Sequence, residues 1–173
     1  MKTSNALEFS SPSASTLSFR TLSAGELRSP LVLFFNSLTF DQRRARFACG
    51  MSDDAIVRYC RGLDPDEATV IACISRDTLV AVVELHPVRT LAGCTELGVA
   101  SSAAEDRLMI YGHLLQLAAF AAGRRGYQTF ICPVDLFEQD VLALLRGMGH
   151  VAVRDGSLYV DLGEYIRLYA RGA

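Results

Sequence analysis

Three apolar runs rich in β-formers crowd the middle of the chain and constrain everything around them: "ATVIACIS" (68–75), "TLVAVVELHPV" (78–88) and "CTELGVA" (94–100). Only Arg76-Asp77 separates the first two, and the link "RTLAGC" leads into the third. Runs of this length with links this short predict consecutive antiparallel strands. The next apolar segment, Leu108 to Ala122, has the length of a helix, and Gly123 and "RRG" end it. Its apolar positions read most simply as core covering the sheet. A strand "YQTFICPV", a helix "LFEQDVLALLRGMG" and a hairpin "HVAVRDGSLYVDL" turning at Asp155-Gly156 follow. The tail "GEYIRLYARGA" reads as a short last helix.

The N-terminal third has a different texture. Residues 1–16 are Ser-rich with little to bury and are expected to be a disordered tail. "LSFRTL" alternates as a short strand. Ser23 and Glu26, at capping-box spacing, predict a helix from Ala24 to Asn36 that bends or restarts at Pro30. "LTFDQRRARF" and "MSDDAIVRYCRGL" predict two more helices, N-capped by Thr39 and Ser52, with Asp53 and Asp54 facing the positive end of the second helix dipole. The order is β, three helices, β-β-β, α, β, α, β-β. That is an α+β architecture with a mixed, mostly antiparallel sheet of about seven strands flanked by helices.

Residues 17–173 form one composition regime, which predicts one domain. A net charge of −2 gives no general reason to expect nucleic acid or an anionic membrane as partner. Leu108–Ala122 is too short, and too interrupted by Gly112, His113 and Gln116, to span a bilayer. With no apolar run of signal-peptide length near the start, the cytoplasm is the expected location. The five cysteines and three histidines are dispersed, without metal-ligand spacing, so free thiols and no metal site are expected. Cys94 and Cys132 lie on strands as packing thiols.

Three segments carry a resemblance that this order also supports: "LTFDQRRARFACGMSDDAIVRYCRGLD", the strands "TLVAVVELHPV" and "TELGVA", and "LLRGMGH" before the last hairpin. They resemble the GNAT family of acyl-CoA-dependent N-acetyltransferases, over nearly all of Leu17–Leu162. The resemblance implies that the fourth strand splays from the fifth and that acetyl-CoA pantetheine lies in the gap, held by backbone at Val99, Ala100 and Ser101. It further implies a Q/R-x-x-G-x-G/A loop whose amides wrap the pyrophosphate at a helix N-terminus, where free N–H groups and the dipole favour an anion.

That loop is degenerate here. With Arg107 as its first residue, Ile110 and Gly112 fill the glycine positions; with Asp106 first, Met109 and Tyr111 fill them. The Arg107 register keeps a basic residue and a glycine, and it places Arg107, Leu108, Ile110, Tyr111, Gly112 and His113 around the pyrophosphate. Ile110 would then put a β-branched side chain where phosphate approaches the main chain. Glu138 matches the asparagine that contacts the cofactor in the family. Leu145 matches the tyrosine that acts as general acid, leaving Tyr111, Tyr159 and Tyr165 as substitutes.

Glu96 opens the fourth strand, where the resemblance implies a glutamate that takes the amine proton. Such a base needs burial near the acyl carbon; the other reading is a charged strand end facing water. Glu84, which interrupts an apolar strand, is a second candidate base or the partner of an arginine such as Arg20 or Arg58. His86 follows on the same face, as an acid/base partner of Glu84 or a surface hydrogen-bonding group. Arg43, Arg44 and Arg46 of "DQRRARF" read as a solvated helix face in preference to a docking patch. The implied function is acetyl transfer from acetyl-CoA to a primary amine of a small molecule or a protein. The alternatives are a non-catalytic module that binds a CoA-type ligand or a protein partner, and a homodimer formed through the edge strands of the last hairpin.

Overall fold

A computed structural model of the chain describes residues 17–103, 106–133 and 139–170. The expected tail, residues 1–16, and the candidate Glu138 lie outside the described residues. Seven strands form one sheet: β1 (Leu17–Thr21), β2 (Thr69–Ser75), β3 (Thr78–Pro87), β4 (Cys94–Ser101), β5 (Thr129–Pro133), β6 (His150–Arg154) and β7 (Ser157–Asp161). Their order across the sheet is β1-β2-β3-β4-β5-β7-β6. Every pairing is antiparallel except β4 with β5.

That parallel pair requires a crossover, which α4 (Arg107–Arg124) provides. The sheet side facing α4 collects Ile71, Val83, Leu85 and Leu97 with Leu114, Leu115, Ala118 and Phe130 into one core, to which α5 (Gln139–Met148) adds Val141 and Leu145. The other side carries Val70, Ala72, Val82 and Ala100 against α1 (Ser29–Ser37) and α3 (Asp53–Gly62), which bury Leu31, Phe35, Ile56 and Cys60 there. Strand alternation thus supplies two cores from the same β-rich runs, which is why those runs read as nearly continuous apolar sequence.

The remaining helices are α2 (Phe40–Phe47) and α6 (Gly163–Ala170). Thr39 caps α2 in a full capping box with Gln42, and Ser52 caps α3 by accepting from the Ala55 amide. The first helix differs from expectation. Ser23 and Glu26 do bond each other, but Glu26 also pairs with Arg20 and residues 24–28 only turn. Helix α1 starts at Ser29, with Pro30 in its first turn instead of bending its middle. Proline is tolerated there because the first-turn N–H groups have no intrahelical acceptor.

Candidate acyl-transfer site

β3 pairs with β4 along its whole length, from Ala81↔Ser101 to Pro87↔Thr95. β5 does not. Its pairing with β4 covers only Cys94, Thr95 and Glu96, opposite Thr129, Phe130 and Ile131. Beyond Glu96 no further β4–β5 pair forms among the described residues, and within them Leu97–Ser101 have a strand on one side only. Ser102 N–H donates to Val80 O at 2.9 Å and Val88 N–H to Cys94 O at 3.4 Å, so the even-numbered residues of this segment turn their backbone groups toward β3. By alternation, Leu97, Val99 and Ser101 turn theirs toward the gap. Ala100 instead points its backbone at β3 and its side chain into the core.

Helix α4 begins just past the end of β4. Asp106 precedes it in the left-handed conformation (φ 55°, ψ 14°), and the Ile110 N–H already bonds Asp106 O at 2.9 Å. The amides lacking an intrahelical acceptor are therefore those of the turn containing Leu108 and Met109, and the Gly112 N–H lies inside the helical ladder. Side chains divide accordingly. Ile110 is 2% exposed and Tyr111 7%, both in the core beneath α4, so the Ile110 side chain points away from the helix end. His113 stacks on Phe19 of β1, with centroids 5.2 Å apart. Leu108 and Gly112 border a cavity of ≈ 430 Å³ between α4 and α5, with Leu115, Asp140, Leu144 and Tyr165. Arg107 is the first helical residue and is half-buried. Of the six residues expected around a pyrophosphate, Arg107, Leu108 and Gly112 thus stand at the α4 end or its cavity, while Ile110, Tyr111 and His113 pack elsewhere.

On the sheet side facing α3, the polar residues converge. Glu96 pairs in register with His86 on β3 and with Ile131 on β5, and Ile131 pairs with Tyr159 on β7. Register partners share a face, so Glu96, His86, Ile131 and Tyr159 form one row across the point where β4 leaves β5. Glu96 is exposed, and the protein alone does not supply the burial expected of a general base. Its charge is felt by its neighbours: it favours the Arg46 cation and, second to burial, helps push the Cys132 thiol up to about 12.

Glu84, two pairs further along and on the same face, is fully buried. It does not use Arg20, which pairs with Glu26, and its cation is Arg46 of α2. Arg46 Nε and Nη2 lie 2.6 and 2.5 Å from Glu84 Oε2, and Nη2 also donates to Tyr59 Oη at 3.0 Å. Tyr59 in turn donates to Glu84 Oε1 at 2.8 Å and stands 3.1 Å from His86 Nε2. Burial alone would raise the Glu84 carboxyl, but the Arg46 charge, the His86 ring 3.8 Å away and the hydrogen bond from Tyr59 outweigh it and hold the group below the ordinary carboxylate range. Burial, then the Glu84 charge, pushes the Tyr59 phenol well above its ordinary value and the Cys60 thiol to about 12. Space for the guanidinium comes from β4: Gly98 is the register partner of Glu84, and a Cβ there would lie 2.4 Å from Arg46 Cζ.

The arginine-rich segment is therefore only partly a solvated face. Arg44 is exposed, but only 9% of the Arg46 side chain is, and Arg43 donates to Asn36 O, Leu38 O and Met51 O besides pairing with Asp53. Sequence reasoning missed Arg46, Tyr59 and Gly98 as parts of one cluster. The available signal was the coincidence of an acidic residue in one apolar strand with a glycine in the next.

No family model matches the chain, and no curated protein matches its sequence. Solved structures do match. The GNAT domain of PAT from S. lividans superposes with a TM-score of 0.63 at 17% identity, covering 82% of this chain and 87% of that one. An N-acetyltransferase from Staphylococcus aureus gives 0.61 at 14%, covering 86% and 99%. The spermidine N-acetyltransferase of Vibrio cholerae, solved with CoA and spermine, gives 0.61 at 13%, covering 87% and 98%. The chain has the fold of the GNAT acetyltransferases, with the seven-stranded, mostly antiparallel sheet and flanking helices that its sequence predicts.

Proposed function

We propose that this protein is an N-acetyltransferase moving an acetyl group from acetyl-CoA to a primary amine of a small molecule or a protein. The observation carrying this reading is the separation of β4 from β5 immediately after Glu96. It leaves a slot walled by strand backbone at Leu97, Val99 and Ser101, into which an amide-bearing pantetheine arm fits as a partial strand. At the far end of that slot, the first turn of α4 offers amides and the positive end of an 18-residue helix to a pyrophosphate. The solved relative holding CoA and spermine supports a CoA-type cosubstrate and a cationic acceptor.

Glu96 lies at the mouth of the slot as the carboxylate that meets an incoming ammonium and takes its proton, directly or through water. The free amine nitrogen then attacks the acetyl carbonyl, the carbon–sulfur bond breaks, and the thiolate leaves with a proton. Among the tyrosines, Tyr159 shares the Glu96 face, Tyr111 is core and Tyr165 borders the α4–α5 cavity. Tyr159 is thus the proton donor best placed for the thiolate.

A second reading has its own observation. Leu145, at the family's tyrosine position, is fully buried, which fits a fold kept for binding a CoA-type ligand or a partner without transfer. Calorimetric titration with acetyl-CoA followed by an amine screen separates the two. Binding near micromolar with turnover that Glu96→Gln lowers about 10²-fold, at unchanged acetyl-CoA affinity, supports the enzyme. Binding without turnover of any amine supports the second reading, and no binding at millimolar ligand removes both.

A further inference from the structure

We infer that His86 is the terminal acceptor of the amine proton, held in a single tautomer by the buried Arg46–Glu84–Tyr59 cluster with its other ring nitrogen open to the cleft. The inference rests on the acetyltransferase reading and adds a residue and a proton route to it.

Hydrogen-bond counting fixes the tautomer. Tyr59 Oη has one proton and three polar neighbours: Arg46 Nη2 at 3.0 Å, Glu84 Oε1 at 2.8 Å and His86 Nε2 at 3.1 Å. Arginine only donates, and an ionised carboxylate only accepts. Glu84 is ionised, since Arg46 sits on its other oxygen. If the Tyr59 proton went to His86, two oxygen lone pairs would face each other at 2.8 Å beside a negative charge in a buried site, which is costly. The proton therefore goes to Glu84, and Tyr59 accepts from both Arg46 and His86. His86 Nε2 carries a hydrogen.

The consequence falls on the other nitrogen. In the neutral ring, an Nε2–H leaves Nδ1 as a bare acceptor. Nδ1 makes no hydrogen bond within the described residues. Nor is it buried, because the only buried side-chain polar atom without a partner among those residues is Asn36 Oδ1. The His86 side chain is 24% exposed, and its cross-strand partner is Glu96. Directly opposed residues on one face lie within side-chain reach of each other.

The proton route follows. The ammonium N–H bond breaks as Glu96, or water bound to it, receives the proton. The proton then passes to Nδ1, giving an imidazolium with both N–H groups occupied, and is lost from Nδ1 to solvent before the next cycle. Glu84, Arg46 and Tyr59 are positioning residues in this scheme. The groups facing His86 are Glu84 on its own strand, Arg46 from α2, Tyr59 from α3 and Glu96 from β4. Because Arg46 neutralises Glu84, the charge facing Nδ1 across the strand pair is that of Glu96.

Two measurements test this on the full chain. In a ¹⁵N–¹H spectrum of histidine-labelled protein, His86 should show the Nε2–H tautomer with an unprotonated Nδ1 at alkaline pH; an Nδ1–H tautomer overturns the inference whatever the activity. In kinetics, His86→Gln retains a donor toward Tyr59 but has no ring acceptor. Its kcat/KM should fall about 10²-fold, at unchanged acetyl-CoA affinity and melting temperature, with a displaced acid limb of the pH profile. His86→Ala should recover activity on adding imidazole, which a structural role would not produce. An unchanged pH profile in His86→Gln overturns this inference and leaves the acetyltransferase reading standing. A wild-type chain inert toward every amine overturns both.

Discussion

Arg46 and Glu84 are the residues whose pairing decides most. Both are withdrawn from water, so each depends on the other: breaking one buried pair by removing a partner costs about 3–5 kcal/mol. Arg46→Met should lose that much stability at neutral pH, measured by urea unfolding, and the loss should shrink on acidification. In the wild type, the folded Glu84 pKa is depressed. Its contribution is complete above the unfolded carboxylate range and is lost as pH falls through the lowered folded value. Without Arg46, burial raises Glu84 instead, so the native state takes up the proton more readily than the unfolded chain. The variant's deficit should then be smaller at about pH 4 than at about pH 7.5. A deficit independent of pH would mean that Glu84 is not the charge left behind. Gly98→Ala probes the same pair from the opposite strand. A methyl group 2.4 Å from Arg46 Cζ cannot be accommodated while the guanidinium stays tied to Glu84 and Tyr59, and about 3 kcal/mol should be lost. A loss under about 0.5 kcal/mol, the range of ordinary surface substitutions, would show the guanidinium free to leave.

At the scale of the element, α4 separates two roles that the Arg107 register had combined. Its first turn is exposed at Leu108 and Met109, whereas Ile110, Tyr111 and Leu114 belong to the core. Ile110→Gly should therefore cost about 4 kcal/mol, from lost burial and helix propensity, and should not tighten acetyl-CoA binding. A gain in affinity by calorimetry would mean that its side chain obstructs the phosphate approach after all. Gly112→Ala should be neutral to stabilising by about 1 kcal/mol, since a Cβ there meets only Leu144 Cδ2, at 3.9 Å. Its amide lies in the ladder, so acetyl-CoA affinity should hold; a loss of affinity would assign the α4–α5 cavity to the cosubstrate.

At the scale of the molecule, the sheet among the described residues is continuous only through the three pairs Cys94↔Thr129, Thr95↔Phe130 and Glu96↔Ile131. The half containing β1–β4 and the half containing β5–β7 meet at this short seam and through α4. A ligand lying in the slot would bond to both halves and stabilise the native state by mass action, about 2.7 kcal/mol at a hundredfold excess over Kd. Acetyl-CoA should thus raise the melting temperature by several degrees, read by differential scanning fluorimetry or calorimetry. No shift at millimolar acetyl-CoA would argue that the slot is not a ligand site.

The order of elements along the chain, the helix between the fourth and fifth strands and the caps at Thr39 and Ser52 were legible in the sequence because each rests on local chemistry. Alternation, chain length between apolar runs and side-chain capping all act within a few residues. Helix α1 was misjudged at its start, where a real Ser23–Glu26 contact closes a turn without nucleating a helix ahead of Pro30. Glu84 was recognisable as an anomaly in its strand, but its partner was not, because Arg46 lies 38 residues away and reaches it only once α2 packs on β4. The sequence by itself therefore determined the elements, their two-sided apolar faces and the fold they build. Tertiary structure alone decided which charges are buried together, which nitrogen of His86 is left open, and where β4 parts from β5. Those outcomes depend on distances between segments remote along the chain, and no local pattern encodes them.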